Sequence, residues 1–269
     1  MKNEERENLR RFYETSSEYK DLLIKAHDRA YLNDYVNTVL KYARKGSYIL
    51  DLGCGSGLSS YMLSEHGHRV YGTDISSFFL AEADGLQSKN LGYQVCDVLD
   101  LPFRNESFDM VCSNELIEHV TDTGRALLEM IRVLKKGGRT LIMGPNLCSP
   151  FWAVMDIANM LLGRGGRQLW AETKLQALKL GFKNLALSLR KKFSKKIEFI
   201  YRKPDLDGKF VGGDSDSAYY ASPIDIERFL KANSMRIIRL YEYSTFSGRI
   251  VSNLFPRLGP YVSIVAEKI

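Results

Sequence analysis

The residues of this chain best suited to chemistry are acids that end apolar runs, the first of them beside a glycine-rich turn. The stretch Tyr48 to Ser60 reads YILDLGCGSGLSS. An apolar run ends in Asp51, Gly53, Gly55 and Gly57 follow at alternate positions, and a helix-compatible segment starts at Leu58. Glycines there let the backbone take positive φ and let a ligand approach the main chain. The N–H groups at the helix start favour an anionic group on that ligand. A dinucleotide fingerprint would be G-x-G-x-x-G, and its third glycine would fall on Leu58. An acid directly before the loop repels a pyrophosphate and suits a ligand carrying an ammonium group near a carboxylate. Asp74 ends the run RVYGTD, about 20 residues on, where an acid binds ribose hydroxyls in nucleotide folds. Asp97 follows the run Gly92 to Cys96 and could accept from an adenine amino group. The run Phe108 to Ser113 leads into Asn114 and Glu115, and Glu115, Glu118 and His119 form E-x-x-E-H. On a helix that spacing shares a face, so the trio could hold a divalent ion.

Positioning these groups requires a sheet. Residues 46–145 alternate strand and helix, the pattern of a parallel sheet wrapped by helices. Leu127, Leu128, Ile131 and Leu134 make Thr123 to Leu134 a helix. Gly137 and Gly138 should end it and turn the chain into a fifth strand, Arg139 to Met143. The next core helix waits until Ser222-Pro223 and runs through Lys231, with Asp225 and Glu227 in its first turn. Strands near Arg236 to Tyr243 and Tyr261 to Glu267 then close the sheet. The expected fold is α/β: a doubly wound, seven-stranded, mainly parallel sheet with a mainly helical insertion after the fifth strand. Residues 1–45 would form a helical lid, 46–145 with 222–269 the core, and 146–221 a cap at the ligand-facing end.

The insertion has two apolar stripes. Phe151, Trp152, Val154, Met155, Ala158, Leu161 and Leu162 recur at helical spacing, and Gly163 to Gly166 breaks the pattern. Leu175, Leu178, Phe182, Leu185 and Leu189 form the second, with Gly181 weakening that helix. Lys174, Lys179, Lys183 and Arg190 occupy its other positions, and RKKFSKK (190–196) follows. The expectation is an apolar stripe facing inward and solvated lysines. A loop, VGGDSDSAYYASP (211–223), rejoins the core, and Asp214, Asp216, Tyr219 and Tyr220 in it are candidate substrate-binding groups. Its Gly212 and Gly213, with Gly163, Gly165 and Gly166, would let the cap open and close.

The chain of 269 residues carries a net charge of +6, yet Arg164 to Lys203 holds twelve Lys or Arg against two acids. The basic character therefore belongs to the insertion. Basic amphipathic helices fit peripheral contact with an anionic membrane or a lipid-linked substrate. Nucleic acid is the weaker expectation, because no recognition module accompanies the charge. Four cysteines without metal spacing fit a reduced, cytoplasmic protein. The start, MKNEERENLRR, has no apolar signal core. Phe151 to Leu162 is too short to span a bilayer and contains Asp156.

The runs VYGTDIS, CDVLDLPFRNESFDMVCSNELIEHV and RVLKKGGRTLIMGPN, with the glycine loop before them, resemble class I S-adenosylmethionine-dependent methyltransferases. The E-H-V ending is similar to the branch that includes quinone-biosynthesis and many small-molecule methyltransferases. The resemblance covers about 45–145 and, more loosely, 223–269. It implies a Rossmann-like core binding S-adenosyl-L-methionine. Asp51, Gly53, Gly55 and Gly57 would hold the methionine moiety, Asp74 the ribose, and Ile75, Asp97 and Val98 the adenine. Asn114 would line the pocket near the reactive methyl, and Tyr13 and Tyr19 would cover the cofactor from a leading helix. Some quinone and RNA-terminal members of this family hold a metal with the E-x-x-E-H trio, and the RNA enzymes add a later histidine. His119 is the last histidine here, so no metal is expected, and His119 and Glu115 are the candidate bases. The implied activity is O-methylation of a small, lipid- or sugar-linked metabolite. RNA methylation and cofactor binding without turnover are the alternatives.

Overall fold

The computed structural model describes residues 2–164, 171–206, 215–240 and 254–269. Asp214, Gly165, Gly166, Gly212, Gly213 and the expected strand end at Tyr243 lie outside them. Seven strands form one sheet in the order β3-β2-β1-β4-β5-β7-β6. They are β1 (Tyr48–Leu52), β2 (Arg69–Asp74), β3 (Leu91–Val95), β4 (Phe108–Asn114), β5 (Leu134–Pro145), β6 (Met235–Leu240) and β7 (Tyr261–Lys268). β1 to β5 pair in parallel, and β7 runs antiparallel between β5 and β6. Strands of a parallel sheet are covered on both faces, and β1 is accordingly buried along four of its five residues.

Three helices precede the sheet: α1 (Lys2–Thr15), α2 (Ser17–Ala26) and α3 (Arg29–Tyr42). Ser16 caps α2 by accepting from Tyr19 N, and Asp28 caps α3 by accepting from Tyr31 N. They divide the expected lid. Tyr35, Val36 and Val39 of α3 pack with Ile49, Leu63 and Met110 as one face of the core, whereas α1 and α2 lie over the strand ends. Ser76 Oγ donates to the Tyr13 carbonyl at 2.9 Å, which fixes α1 there.

β1 leads into α4 (Leu58–Glu65) and β2 into the short α5 (Ser77–Leu80). α6 (Thr123–Val133) is capped by Asp122 and buries Ala126, Leu127 and Met130. The glycine pair does not end it. β5 starts at Leu134, which pairs with Phe108, and Gly137 at φ 69° sits inside the strand where the register shifts. One type of bulge places a glycine at positive φ, and the pair kinks a longer strand instead of turning the chain.

The described residues of the insertion include α7 (Phe151–Leu161) and α8 (Lys174–Phe193), and α9 (Pro223–Ala232) comes after it. Gly181 lies where α8 crosses α7, and a Cβ there would come within 2.5 Å of the Ala153 Cβ. The orientation of α8 reverses the sequence expectation. Leu175, Leu178, Phe182 and Leu189 are exposed, and Ala177, Gly181, Asn184, Ser188 and Lys191 face inward. The reason lies in what α8 covers. The turn after β5 buries the carbonyls of Leu147, Cys148 and Ser149, and buried carbonyls need donors. Asn184 Nδ2 donates to Leu147 and Ser149, and Ser188 Oγ donates to Cys148. Lys191, expected at the surface, is 1% exposed and ion-paired with the buried Asp225 of α9. Asp225 is thus the anchor of α8, beyond any role at its own helix terminus.

Candidate active site

The carboxyl ends of the parallel strands open into one cavity of ≈ 1070 Å³, the edge where such sheets take ligands. The turn after β1 supplies Gly53, Cys54, Gly55 and Ser56; β2 ends in Asp74 and Ile75; Asp97 and Val98 follow β3; Asn114, Glu115 and His119 follow β4. Tyr13 and Tyr19 close one side, and Trp152, Asp205, Ser215 and Asp216 of the insertion another.

Gly53 and Gly55 have φ of 68° and 54°. At Gly55 an added Cβ would meet nothing within 4 Å, so the main chain lies open to a ligand. Gly57 differs from the expectation. It does not line the cavity; it starts α4 at φ 80°, and a Cβ there would come within 2.7 Å of the Tyr93 ring. Its glycine answers a packing need.

Asp51 forms the floor. Its Oδ1 accepts from Tyr35 at 2.5 Å, and its Oδ2 accepts from Ser59 at 2.6 Å and Ser60 at 2.7 Å. Burial raises its pKa against the pull of these hydroxyls. Much of its accepting capacity is therefore spent on tying β1 to α3 and to the first turn of the helix after the glycines. Asp74 accepts from Gly55 N at 2.9 Å and Ser76 N at 3.0 Å, and burial pushes it up to about 6. Asp97 accepts from Leu99 N and pairs with Arg6 of α1 at 2.6 Å.

Glu115 has φ 51°, an uncommon backbone state for a residue with a side chain and one that clusters at functional sites. Its N–H donates to the Met143 carbonyl, which holds the distortion. Burial raises the Glu115 pKa, opposed by the Tyr31 hydroxyl and by His119. The His119 ring presents Nδ1 3.2 Å from Asp216 and Nε2 3.7 Å from Glu118. Asp216 is 3% exposed and also accepts from Tyr13 and Tyr19, each at 2.8 Å. Burial would raise Asp216, but His119 and the two tyrosines overcome it and hold the carboxyl well below the usual range.

The E-x-x-E-H trio does not lie on one helix face. Ile117 to His119 is a single 3₁₀ turn, and Glu118 is buried against Gly144, where a Cβ would come within 2.9 Å of its Oε2. Among the described residues no three metal-ligating side chains converge.

Tyr219 and Tyr220 do not line the cavity. Tyr219 is fully buried against Phe199 and Tyr201, and Tyr220 donates to Asn184. Among the described residues of that segment, Ser215 and Asp216 reach the cavity. Tyr31, Tyr35 and Arg6 escaped the sequence reading. Tyr31 and Tyr35 stand four apart on α3, a spacing that puts both hydroxyls on one face and was the available signal.

Residues 50–142 match the family described as a methyltransferase domain. Over 148 residues the chain is 30% identical to the O-methyltransferase resE of Aspergillus sclerotiorum, covering 49% of this chain and 56% of that protein. It is 41% identical over 114 residues to the chloroplastic 2-phytyl-1,4-beta-naphthoquinone methyltransferase of Arabidopsis thaliana, covering 39% and 44%. The chain thus spans about half the length of these relatives. The crystal structure of an S-adenosylmethionine-dependent methyltransferase from Mesorhizobium loti has the same fold, with a TM-score of 0.58 at 19% identity over 86% of this chain and 96% of that one.

Proposed function

We propose, from the match of residues 50–142 to a methyltransferase domain, that the chain is a class I S-adenosylmethionine-dependent methyltransferase and that it methylates an oxygen of a small, lipid- or sugar-linked acceptor. One observation carries the reading: the ends of four neighbouring parallel strands bring an open glycine turn, Asp74, Asp97 and the Glu115–His119 pair into one cavity. The donor set fits the cofactor. Asp74 stands where it can accept two ribose hydroxyls, Ile75 and Val98 can flank the adenine, and the open backbone at Gly55 can take the methionine end, with Asp51 bracing the turn. When bound, the cofactor supplies a methyl group on a positively charged sulfur, a good leaving group.

The protein's own task is alignment and proton removal. Asn114 and Glu115 bound the part of the cavity nearest the acceptor. Glu115 takes the acceptor proton, because a carboxyl raised by burial is a better base near neutral pH than an ordinary one. Asp216 orients the His119 ring beside it. Tyr13 and Tyr19 exclude water from above.

The proposal is tested by incubating the protein with S-adenosylmethionine and phenol, carboxylate and sugar acceptors, scoring S-adenosylhomocysteine. Product is expected with an oxygen acceptor and undiminished by EDTA. Cofactor binding without product from any acceptor would leave only a binding protein. Loss in EDTA restored by magnesium would return Glu115, Glu118 and His119 to metal ligation.

A pH dependence follows from Asp74. Its folded pKa of about 6 lies above the unfolded carboxylate value of about 3.9. Its stabilising contribution is therefore present below that unfolded value and lost as pH rises through about 6. Cofactor binding runs the opposite way, since ribose hydroxyls donate best to the ionised group. Titration calorimetry should show affinity rising as pH climbs through about 6 and levelling above it. The same rise in an Asp74→Asn protein would assign the effect to another group.

A further inference from the structure

α8 carries three of its leucines outward and no acid anywhere in its twenty residues. Leu175, Leu178, Phe182, Leu189 and Phe193 are exposed, Phe182 by 64% and Phe193 by 79%. Their spacing places them in one stripe along the helix. Helical geometry sets Lys179, Lys183 and Arg190 along one side of that stripe and Lys174 and Lys192 along the other, all five exposed. The preceding helix adds exposed Val154 and Leu161, with Leu162 just beyond its end. Contiguous exposed apolar surface rimmed by polar groups marks an interaction site.

We infer that the outward face of α7 and α8 docks on an anionic lipid bilayer, lying in its interface. The charge pattern selects this occupant. Arg190 already pairs with Glu198 at 3.0 Å, but a second copy of the chain, face to face, would still bring the lysines against each other with no acid on α8 to relieve them. Nucleic acid would pair the cations but leave the leucines and phenylalanines in water. An anionic bilayer satisfies both layers together: acyl boundary for the apolar stripe, headgroups for the flanking lysines and arginine. Among the described residues no helix is long and apolar enough to cross a membrane, so the contact is in the plane of the surface. The geometry has a further consequence, which rests on the methyltransfer reading. Trp152 of α7 lines the cavity, so α7 forms part of a wall of the site, and docking brings that wall near a membrane-dissolved acceptor.

Docking is tested with the full chain and no cofactor, so that its failure is separate from any failure of methyltransfer. Sedimentation with vesicles of phosphatidylglycerol and phosphatidylcholine in equal parts should carry the protein down, and pure phosphatidylcholine should not. Leu178→Glu with Phe182→Glu should weaken vesicle binding by at least about tenfold. Lys179→Gln and Lys183→Gln should each weaken it by roughly fivefold and flatten its salt dependence. All four side chains are exposed, and unchanged melting and S-adenosylmethionine binding would show that the variants fold. Binding equal on neutral and anionic vesicles, binding retained in the double glutamate variant, or self-association abolished by that variant without vesicle binding would each overturn the inference.

Discussion

Turnover by a Glu115→Gln protein should fall by roughly 10²- to 10⁴-fold, the usual contribution of a positioned base, with cofactor affinity unchanged within about twofold. Glutamine keeps the size of the side chain and its bond from Tyr31, so the strained turn at Glu115 stays as it is. Only the proton-accepting capacity is removed. The measurement is kcat against KM for an oxygen acceptor, beside calorimetric cofactor binding. A reduced kcat with KM unchanged would place the loss at the chemical step. Full activity in Glu115→Gln and loss in His119→Gln would move the base to the imidazole. Full activity in both would mean an acceptor that needs no base.

The second large effect concerns the cofactor. Asp74→Ala should weaken S-adenosylmethionine binding by about 1–3 kcal/mol, the cost of leaving buried polar groups unpaired, or roughly 5- to 150-fold. The same change strips the acceptor from Gly55 N and Ser76 N, so part of the loss will come from a looser glycine turn. Asp74→Asn separates the two contributions, because it retains an oxygen for one of those N–H groups. Unaltered binding by the alanine protein would remove Asp74 from the cofactor site.

The parts of the fold legible in the sequence are those set by local rules. Strand, glycine turn and helix around Gly53 to Gly57 form a contiguous signal, with Asp51 two residues before it and Asp74 at the end of the next strand. Gly57 shows the limit of that legibility: its left-handed φ is readable from the spacing, but the Tyr93 ring that forbids a Cβ comes from β3. α8 was misread for a stronger reason. Apolar spacing finds a helix and its stripe, but which face turns inward depends on what the neighbouring chain demands. Here the demand comes from carbonyls at 147–149, met by Asn184 and Ser188, and from Asp225, met by Lys191. Hydropathy carries no trace of such a demand. The E-x-x-E-H spacing failed in the same way. It shares a face only on an α-helix, and the positive φ of Glu115 prevents one.

The bonding of Asp216 bears on how molecules come and go. One carboxylate in the return segment of the insertion receives hydroxyls from α1 and α2 and faces the His119 ring. Arg6 fastens α1 to Asp97 on the far side of the sheet's ligand edge. The cover is thus latched by a few directed bonds beside an aromatic cluster of Phe12, Tyr13, Tyr19 and Phe79, and those bonds must part together for α1 to swing away. On the proposed function, exchange of a molecule held beneath α1 would be gated by the release of these bonds.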